Sequence, residues 1–454
     1  MSTTETALNK KLFFFSLPLI GSLLTQQLYS AADMVIVGQL LGAAELAAVG
    51  NASTIVLLFI VISGGIELAV EIIFSRYLGQ KDERSLAKGT MNILTFGLLL
   101  GILLAVIGVF ALPSLFDLLK IPTELIPLAR SYSLIYLLGV PSIYVYDISR
   151  AMLISLGEAN KSFYLILSSS LLNVFLNIFF LQVLHLGVAG AAWGTILSQG
   201  LLMCVSIRLL YQKSRKNPYF KFSFVLDFAQ LKELSHIAVP SIFQQFVITV
   251  SSMFLQAFVN PFGNEVIIGF IAVTKVLSIS RIVISGFSQT LSIFSARMFA
   301  GKKLAQLKQT YTFLTKISLL YSGVVIIIFF LLSRPLCDLF FDSSSHSAGF
   351  HFFRTYLLFS SGSLLMTVFK FMNEGLLRSS LRMKEYLLCN LGDLLIKIGG
   401  TWLLLQVVST QAFWLGESLG RAFSMILSFY LIFRFQKNEL LPSQKKTGSY
   451  SVEP

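Results

Sequence analysis

Asp33 stands in an apolar run, QQLYSAADMVIVGQLLG, with Tyr29 one helical turn before it and Gln26 two turns before it. Residues three and four apart share a helix face, so an amide, a phenol and a carboxylate form one stripe. Such a stripe can receive a proton, a sodium ion or a cationic molecule. If the segment crosses a membrane, an ionisable group at its centre costs about 2.5–3.5 kcal/mol on the translocon scale and needs a reason to be there. The alternative is a structural carboxylate paired with a polar group of another helix. No basic residue lies nearby on the same helix.

Other residues invite the same two readings. Asn173 and Asn177 lie one turn apart in NVFLN, and Thr195 sits in VAGAAWGTILSQ. Neutral oxygens beside a carboxylate suit a monovalent cation, which they ligate without overbinding. They could equally be interhelical glue, worth about 0.6 kcal/mol per polar pair. Glu67 and Glu71 are one turn apart and would repel if both were ionised, so they line a wet cavity or pair with a base such as Arg150. Asp147 and Arg150, three apart, can pair with each other. In the second half, Lys275 and Arg281 fall in one apolar block, while Lys370, Glu374 and Arg378 share a face in another. Asp393 with Lys397 and Glu417 with Arg421 are spaced for internal salt bridges.

The elements that must position these residues follow from composition. Of 454 residues, 55% are hydrophobic and 13% are charged, about half the charged share of a soluble domain. The mean hydropathy is +0.78. Apolar blocks fall at 12–41, 47–78, 91–113, 126–156, 161–184, 187–212, 233–262, 266–299, 311–333, 350–378, 384–407 and 411–436. A span needs about 20 apolar residues, so these are twelve transmembrane helices. The alternating ten-residue segments of a membrane β-barrel are absent. The first block runs on too far for a secretory signal and reads as an uncleaved helix. Cys204, Cys337 and Cys389 are too scattered for a disulfide framework, and His185, His236, His346 and His351 show no metal-ligand spacing. No nucleophile–base pair and no phosphate-binding GxxxxGK[ST] loop occurs, which argues against an enzyme or an NTPase and leaves an ion gradient as the energy source. No cofactor is expected beyond a coupling H+ or Na+.

The formal net charge of +13 is a membrane-topology signal. With the N-terminus inside, twenty-five of the 35 Lys and Arg fall on cytoplasmic stretches and only Lys120, Arg130, Arg334 and Arg354 outside. That asymmetry places both termini in the cytoplasm and needs no nucleic-acid partner. It divides the chain into an N-lobe at 1–212, a cytoplasmic linker at 213–232, a C-lobe at 233–436 and a disordered cytoplasmic tail at 437–454. The basic and aromatic linker is suited to an anionic lipid surface.

The halves resemble each other. SLPLIGSLLTQQ from Ser16 pairs with AVPSIFQQFVIT from Ala238, LGAAEL from Leu41 with FGNEVI from Phe262, and SRYLGQK from Ser75 with ARMFAGK from Ala296. The offset is nearly constant and each half has an even number of spans, so the repeats are parallel.

At this point the chain resembles the multidrug and toxic compound extrusion (MATE) family. The segments that carry the likeness are ADMVIVGQLLGAAELAAVG at 32–50, ISGGIELAVEIIFSRYLGQKD at 62–82, LNVFLNIFFLQVLHLGVAGAAWGTILSQ at 172–199 and GLLRS at 375–379. The resemblance implies an all-α, two-lobe, V-shaped antiporter of the inner membrane, a monomer. It would export organic cations or amphipathic compounds in exchange for protons or sodium. The prokaryotic branch similar to DNA-damage-inducible protein F implies a cation-coupling site of Asp33, Asn173 and Thr195, to which the residue spacing adds Asn177. Gln26 and Tyr29, with Glu67, Glu71, Asp147 and Arg150, would belong to the substrate cavity. Many members have Asp-Pro where this chain has Asn177-Ile178, and sodium-coupled members carry acids where Ile248 and Thr367 stand here. Glu67 and Glu71 would then stand in for the missing acid or serve another substrate. A flippase for a lipid-linked or anionic amphipathic precursor is the alternative, kept open by Arg150, Lys275 and Arg281.

Overall fold

The computed structural model describes residues 3–119, 121–224, 226–341 and 344–435. Twelve long α-helices account for almost all of them: α1 (Thr3–Leu40), α2 (Ala43–Gln80), α3 (Glu83–Leu118), α4 (Ile126–Ser155), α5 (Ala159–Ile178) and α6 (Gly187–Ser214), then α7 (Phe228–Val259), α8 (Asn264–Ala300), α9 (Leu304–Asp338), α10 (Ser347–Ser379), α11 (Met383–Val408) and α12 (Ala412–Phe435). No β-strand occurs among the described residues. Among the described residues eleven stretches are long and apolar enough to cross a bilayer, one fewer than the twelve expected, because α11 and α12 run together as one 52-residue apolar stretch across the 3-10 turn Ser409–Gln411. The tail expected at 437–454 lies outside the described residues.

The helices outrun the apolar blocks that announce them. Expected to start at 12 and 91, α1 and α3 start at Thr3 and Glu83. Hydropathy marks only the part inside hydrocarbon, whereas a helix continues until its backbone is capped. For α3 that cap is Asp82, whose Oδ1 accepts from the Ser85 amide at 2.9 Å. With 38 residues α1 is about 57 Å long at 1.5 Å per residue, nearly twice the hydrocarbon thickness. Prolines 18, 113, 141, 240 and 335 sit inside helices, which membrane helices tolerate better than soluble ones.

The repeat is legible in the backbone. Left-handed residues close equivalent turns in both halves: Gly42 (φ 112°) with Gly263 (φ 87°), Lys81 (58°) with Lys302 (54°), Gly157 (88°) with Leu381 (63°), and His185 (51°) with Ser409 (54°). Side chains rarely adopt this region, so its recurrence at lysine and leucine marks turns that the fold imposes.

The chain forms two compact units. The first holds the residues up to Phe246 together with Ser292–Thr310, the second Val247–Leu291 and the described residues from Tyr311 onward. In the first, α4 is the best-buried span and packs on α2, α3 and α6. The stretch between α6 and α7 is tied to α3 in the same unit. Asn92 donates to the Asp227 carbonyl at 3.1 Å and accepts from the Asp227 amide at 2.8 Å. Lys88 pairs with the Asp227 carboxylate at 2.5 Å, and Gln230 donates to the Ser85 carbonyl at 3.1 Å. Tyr219, Phe222 and Phe224 of this stretch, and Phe228 at the start of α7, are exposed. In the second unit α11 and α12 are the most closely joined pair, apposed at Gly416 and Gly420, a small-xxx-small spacing that lets backbones approach.

Candidate ion-coupling site

Three helices of the first unit bring one polar chain together. The Asn177 amide of α5 donates to Asp33 Oδ1 of α1 at 2.5 Å and lies 3.1 Å from Asn173 Oδ1. Asn173 donates in turn to Thr195 Oγ1 of α6 at 3.1 Å. Thr195 also accepts from the Tyr29 phenol at 3.4 Å and donates to the Ala191 carbonyl at 3.2 Å. Asn173, Asn177 and Thr195 are buried, while Asp33 and Tyr29 are half-buried. The i, i+4 spacing of the asparagines, one turn of α5, makes this line-up possible. Glycine at 194 does the rest: a Cβ there would lie 2.0 Å from Asn177 Oδ1.

No base forms an ion pair with Asp33 among the described residues. Glu67, Asp147, Glu374, Asp393 and Glu417, by contrast, each face a lysine or arginine inside the membrane. Asp33 is thus held by a neutral amide alone. Asn177 Oδ1 is buried without a hydrogen-bond partner, so one lone-pair-bearing oxygen beside the carboxylate is left unsatisfied. A cation ligated there would satisfy both.

The remaining expected residues form a separate cluster in the same unit. Arg150 of α4 pairs with Glu67 of α2. Its pairing with Asp147, expected from the i, i+3 spacing, is loose at 3.9 Å. Asp147 accepts instead from the Ser63 hydroxyl at 2.7 Å. Glu71 is buried close enough to Glu67 and Arg150 to act on both electrostatically, and its carbonyl accepts from Ser155 at 3.2 Å. Gln26 shares the face of Tyr29 but is exposed and joins neither group. Residues that spacing did not single out lie between the two: Tyr132 and Tyr136 of α4 are buried, stack with centroids 6.1 Å apart, and act electrostatically with Asp33 and Tyr29. Tyr136 also feels Asp147. The tyrosine-rich text SYSLIYLLGVPSIYVYD was the available signal.

The helices are of membrane-spanning length in two parallel repeats, and one span carries a carboxylate with no ion-paired base among the described residues. The chain belongs to the MatE family, whose model matches residues 18–179 and again 240–403. Both matches begin at an intrahelical proline, Pro18 of α1 and Pro240 of α7. Among relatives, the probable multidrug resistance protein YpnP of Bacillus subtilis is 31% identical over 61% of this chain and 62% of its own length. The match therefore spans under two thirds of that relative. YoeA of the same organism, also a probable multidrug resistance protein, is 25% identical over 73% of each chain. The Vibrio cholerae MATE transporter VcmN in its bent form superposes with a TM-score of 0.87 at 20% identity, covering 96% of this chain and 98% of that one. A MOP superfamily transporter of Pyrococcus furiosus, described by a reverse polarity of its binding pocket, gives 0.87 at 21% identity over 96% and 98%. At these identities the superpositions establish the fold.

Proposed function

We propose that the protein is a secondary active antiporter that exports organic cations or amphipathic compounds in exchange for protons or sodium, coupled through Asp33. The observation that carries this reading is a carboxylate inside the span, with no basic partner, that touches a buried carboxamide chain. Such a group changes charge or ligation when an ion arrives, whereas an ion-paired one is already neutralised. Asn173, Asn177 and Thr195 orient the carboxylate and supply neutral oxygens, and Tyr29 reaches the same hydroxyl from the helix that carries Asp33.

For exchange, ion and substrate must favour different states of the transporter, because equal affinity for both shifts nothing. Glu67, Glu71, Asp147 and Arg150 serve as the polar lining that meets the substrate, with Tyr132 and Tyr136 between them and Asp33. Aromatic faces beside carboxylates favour organic cations. The excess of Lys and Arg on one set of loops supports insertion in the cell membrane with both termini in the cytoplasm.

The test is efflux of a fluorescent organic cation from proteoliposomes under an imposed proton or sodium gradient, for wild type and Asp33→Asn. Gradient-driven efflux by the wild type, lost in the variant, establishes the antiporter and names the ion. Absence of transport under both gradients refutes antiport. Full activity of the variant removes Asp33 from the coupling.

A further inference from the structure

The second unit carries a charged cluster of its own inside the span. Arg281 of α8 meets Glu417 of α12 at 2.6 Å, and the Tyr356 phenol donates to the other oxygen of Glu417 at 3.0 Å. Arg421 lies 3.1 Å from Asp393 Oδ2, which Lys370 also contacts, and Lys370 is 3.6 Å from Glu374. Of the expected i, i+4 pairs, Glu417 with Arg421 forms at 3.9 Å, and Asp393 with Lys397 does not. Asp393 is taken by Arg421 and Lys370, and Lys397 is left beside it.

Lys397 acts on Asp393 and Glu417 through space, yet among the described residues it makes no hydrogen bond or ion pair within 4.0 Å. Four bases (Arg281, Lys370, Lys397, Arg421) thus face three acids (Glu374, Asp393, Glu417), and Arg378, within range of Glu374, adds to the same sign. An uncompensated charge inside the span is costly. Here the excess sits on the one lysine that remains half-buried: its stem packs on Gly420 of α12, where a Cβ would lie 2.9 Å from Lys397 Cβ, while one turn on a Cβ at Gly400 would meet only Leu419 at 3.9 Å.

The place of this lysine in the fold is informative. In the first unit Asn173 and Asn177, one turn apart on α5, stand against Gly194 and Thr195 of α6. In the second, Lys397 and Thr401, one turn apart on α11, stand against Gly416 and Glu417 of α12. The helix approach is the same in both, since a Cβ at Gly416 would lie 2.0 Å from Thr401 Oγ1 just as one at Gly194 would lie 2.0 Å from Asn177 Oδ1. The parallel extends to an unsatisfied group: the Thr401 hydroxyl is fully buried without a hydrogen-bond partner, as Asn177 Oδ1 is. What changes is the chemistry. A neutral acceptor at 173 becomes an ammonium at 397, and an acceptor amide at 177 becomes a hydroxyl with a proton to give.

We propose that the second unit binds an anionic group, a carboxylate or a phosphate, at the Lys397 ammonium and the Thr401 hydroxyl, as the polarity-reversed counterpart of the Asp33 site. An ammonium is a compact point charge suited to either oxyanion, and the neighbouring arginines keep the local field positive while their own carboxylates hold them in place. The binding event does not depend on antiport.

The experiment uses the full chain in phosphatidylcholine nanodiscs, with empty discs as blank, and two fluorescent probes of one scaffold: dansylglycine, which carries a carboxylate, and neutral dansylamide. Dansylglycine should bind about tenfold more tightly, the worth of one charge-assisted hydrogen bond. Lys397→Gln should erase that preference, Lys397→Arg should keep most of it, and Thr401→Val should reduce it. Equal affinity of the two probes for wild type overturns the proposal. So does a preference that survives Lys397→Gln in a protein that melts as wild type does. Phosphatidylglycerol added to the discs separates the sources of the anion. Competition with dansylglycine assigns the site to a lipid headgroup, and its absence assigns it to a soluble anion. Either result supports an anion site. If cation efflux fails in the wild type while the preference is present, the antiport reading falls and this one stands.

Discussion

Asn177 gives its amide to the Asp33 carboxylate at 2.5 Å, while its own carbonyl oxygen, pressed against Gly194, accepts from nothing. The side chain is oriented by what it donates, and it leaves an acceptor for an ion. Asn177→Leu removes both functions. A hydrogen bond to a charged group is worth about 1.5–3 kcal/mol, so gradient-driven efflux should fall at least about tenfold. Proteoliposome efflux at matched protein density measures it, and an unchanged rate would show that Asp33 works without this partner.

Gly194→Ala tests the same contact from the opposite helix. Its methyl group would arrive 2.0 Å from Asn177 Oδ1 and within 3.3 Å of the Asn177 backbone nitrogen, so α5 and α6 must separate or the carboxamide must turn away. Overpacking of this kind costs about 1–3 kcal/mol. Transport should be lost and the melting temperature lowered. Adding Asn177→Ala should restore most of the melting temperature without restoring transport, which distinguishes a steric cause from general damage.

The buried Arg150 holds Glu67 and stands near Asp147, so Arg150→Met leaves two half-buried carboxylates without their base. Breaking a buried pair from one side costs about 3–5 kcal/mol, whereas replacing the whole set by apolar groups is often neutral. Arg150→Met should therefore be poorly folded, and Glu67→Met with Asp147→Leu in that background should recover stability. Thermal unfolding in detergent reads both. If Glu67 and Asp147 bind substrate, the recovered triple variant should remain inactive.

Acid sensitivity has a site outside the spans. In the turn between α4 and α5, a hydrogen bond from Lys213 at 2.7 Å, with Lys161 at 3.2 Å, holds the Glu158 carboxyl below the ordinary glutamate value. A group depressed in the folded state contributes stability above its unfolded pKa, about 4.3, and loses it as pH falls through the folded value. The melting temperature should decline on acidification below about pH 4.5, and Glu158→Gln should lack this part of the decline. Parallel curves for the two proteins would show that the contact adds nothing.

Helix number and the stripe carrying Asp33 were readable because the solvent writes them: hydrocarbon demands long apolar runs and makes each interior charge conspicuous. Spacing along α5 likewise announced Asn173 and Asn177 as one face. Partnerships between helices were harder. Arg150 was offered as a base for Glu67, but Asp393 chose Lys370 and Arg421 over Lys397 of its own helix, because reach across a tight interface outweighs proximity in sequence. Tyr132 and Tyr136 were passed over since tyrosine in a span also suits an interface belt, and only packing distinguishes the two roles. Helix ends were missed for a different reason, as caps such as Asp82 lie outside the apolar signal.

The ties from α3 to the stretch between α6 and α7 bear on how the chain can be divided. Asn92 clasps the backbone of Asp227 from both sides, and Gln230 binds the Ser85 carbonyl. These contacts all lie beyond Lys221, so a polypeptide interrupted near that residue would keep its recognition surface on the downstream fragment. Two pieces synthesised separately would carry matching halves of a clasp, Asn92 and Ser85 on one and Asp227 and Gln230 on the other, and co-expression should let them reassociate. The long connection between the repeats is then a seam that holds without covalent continuity.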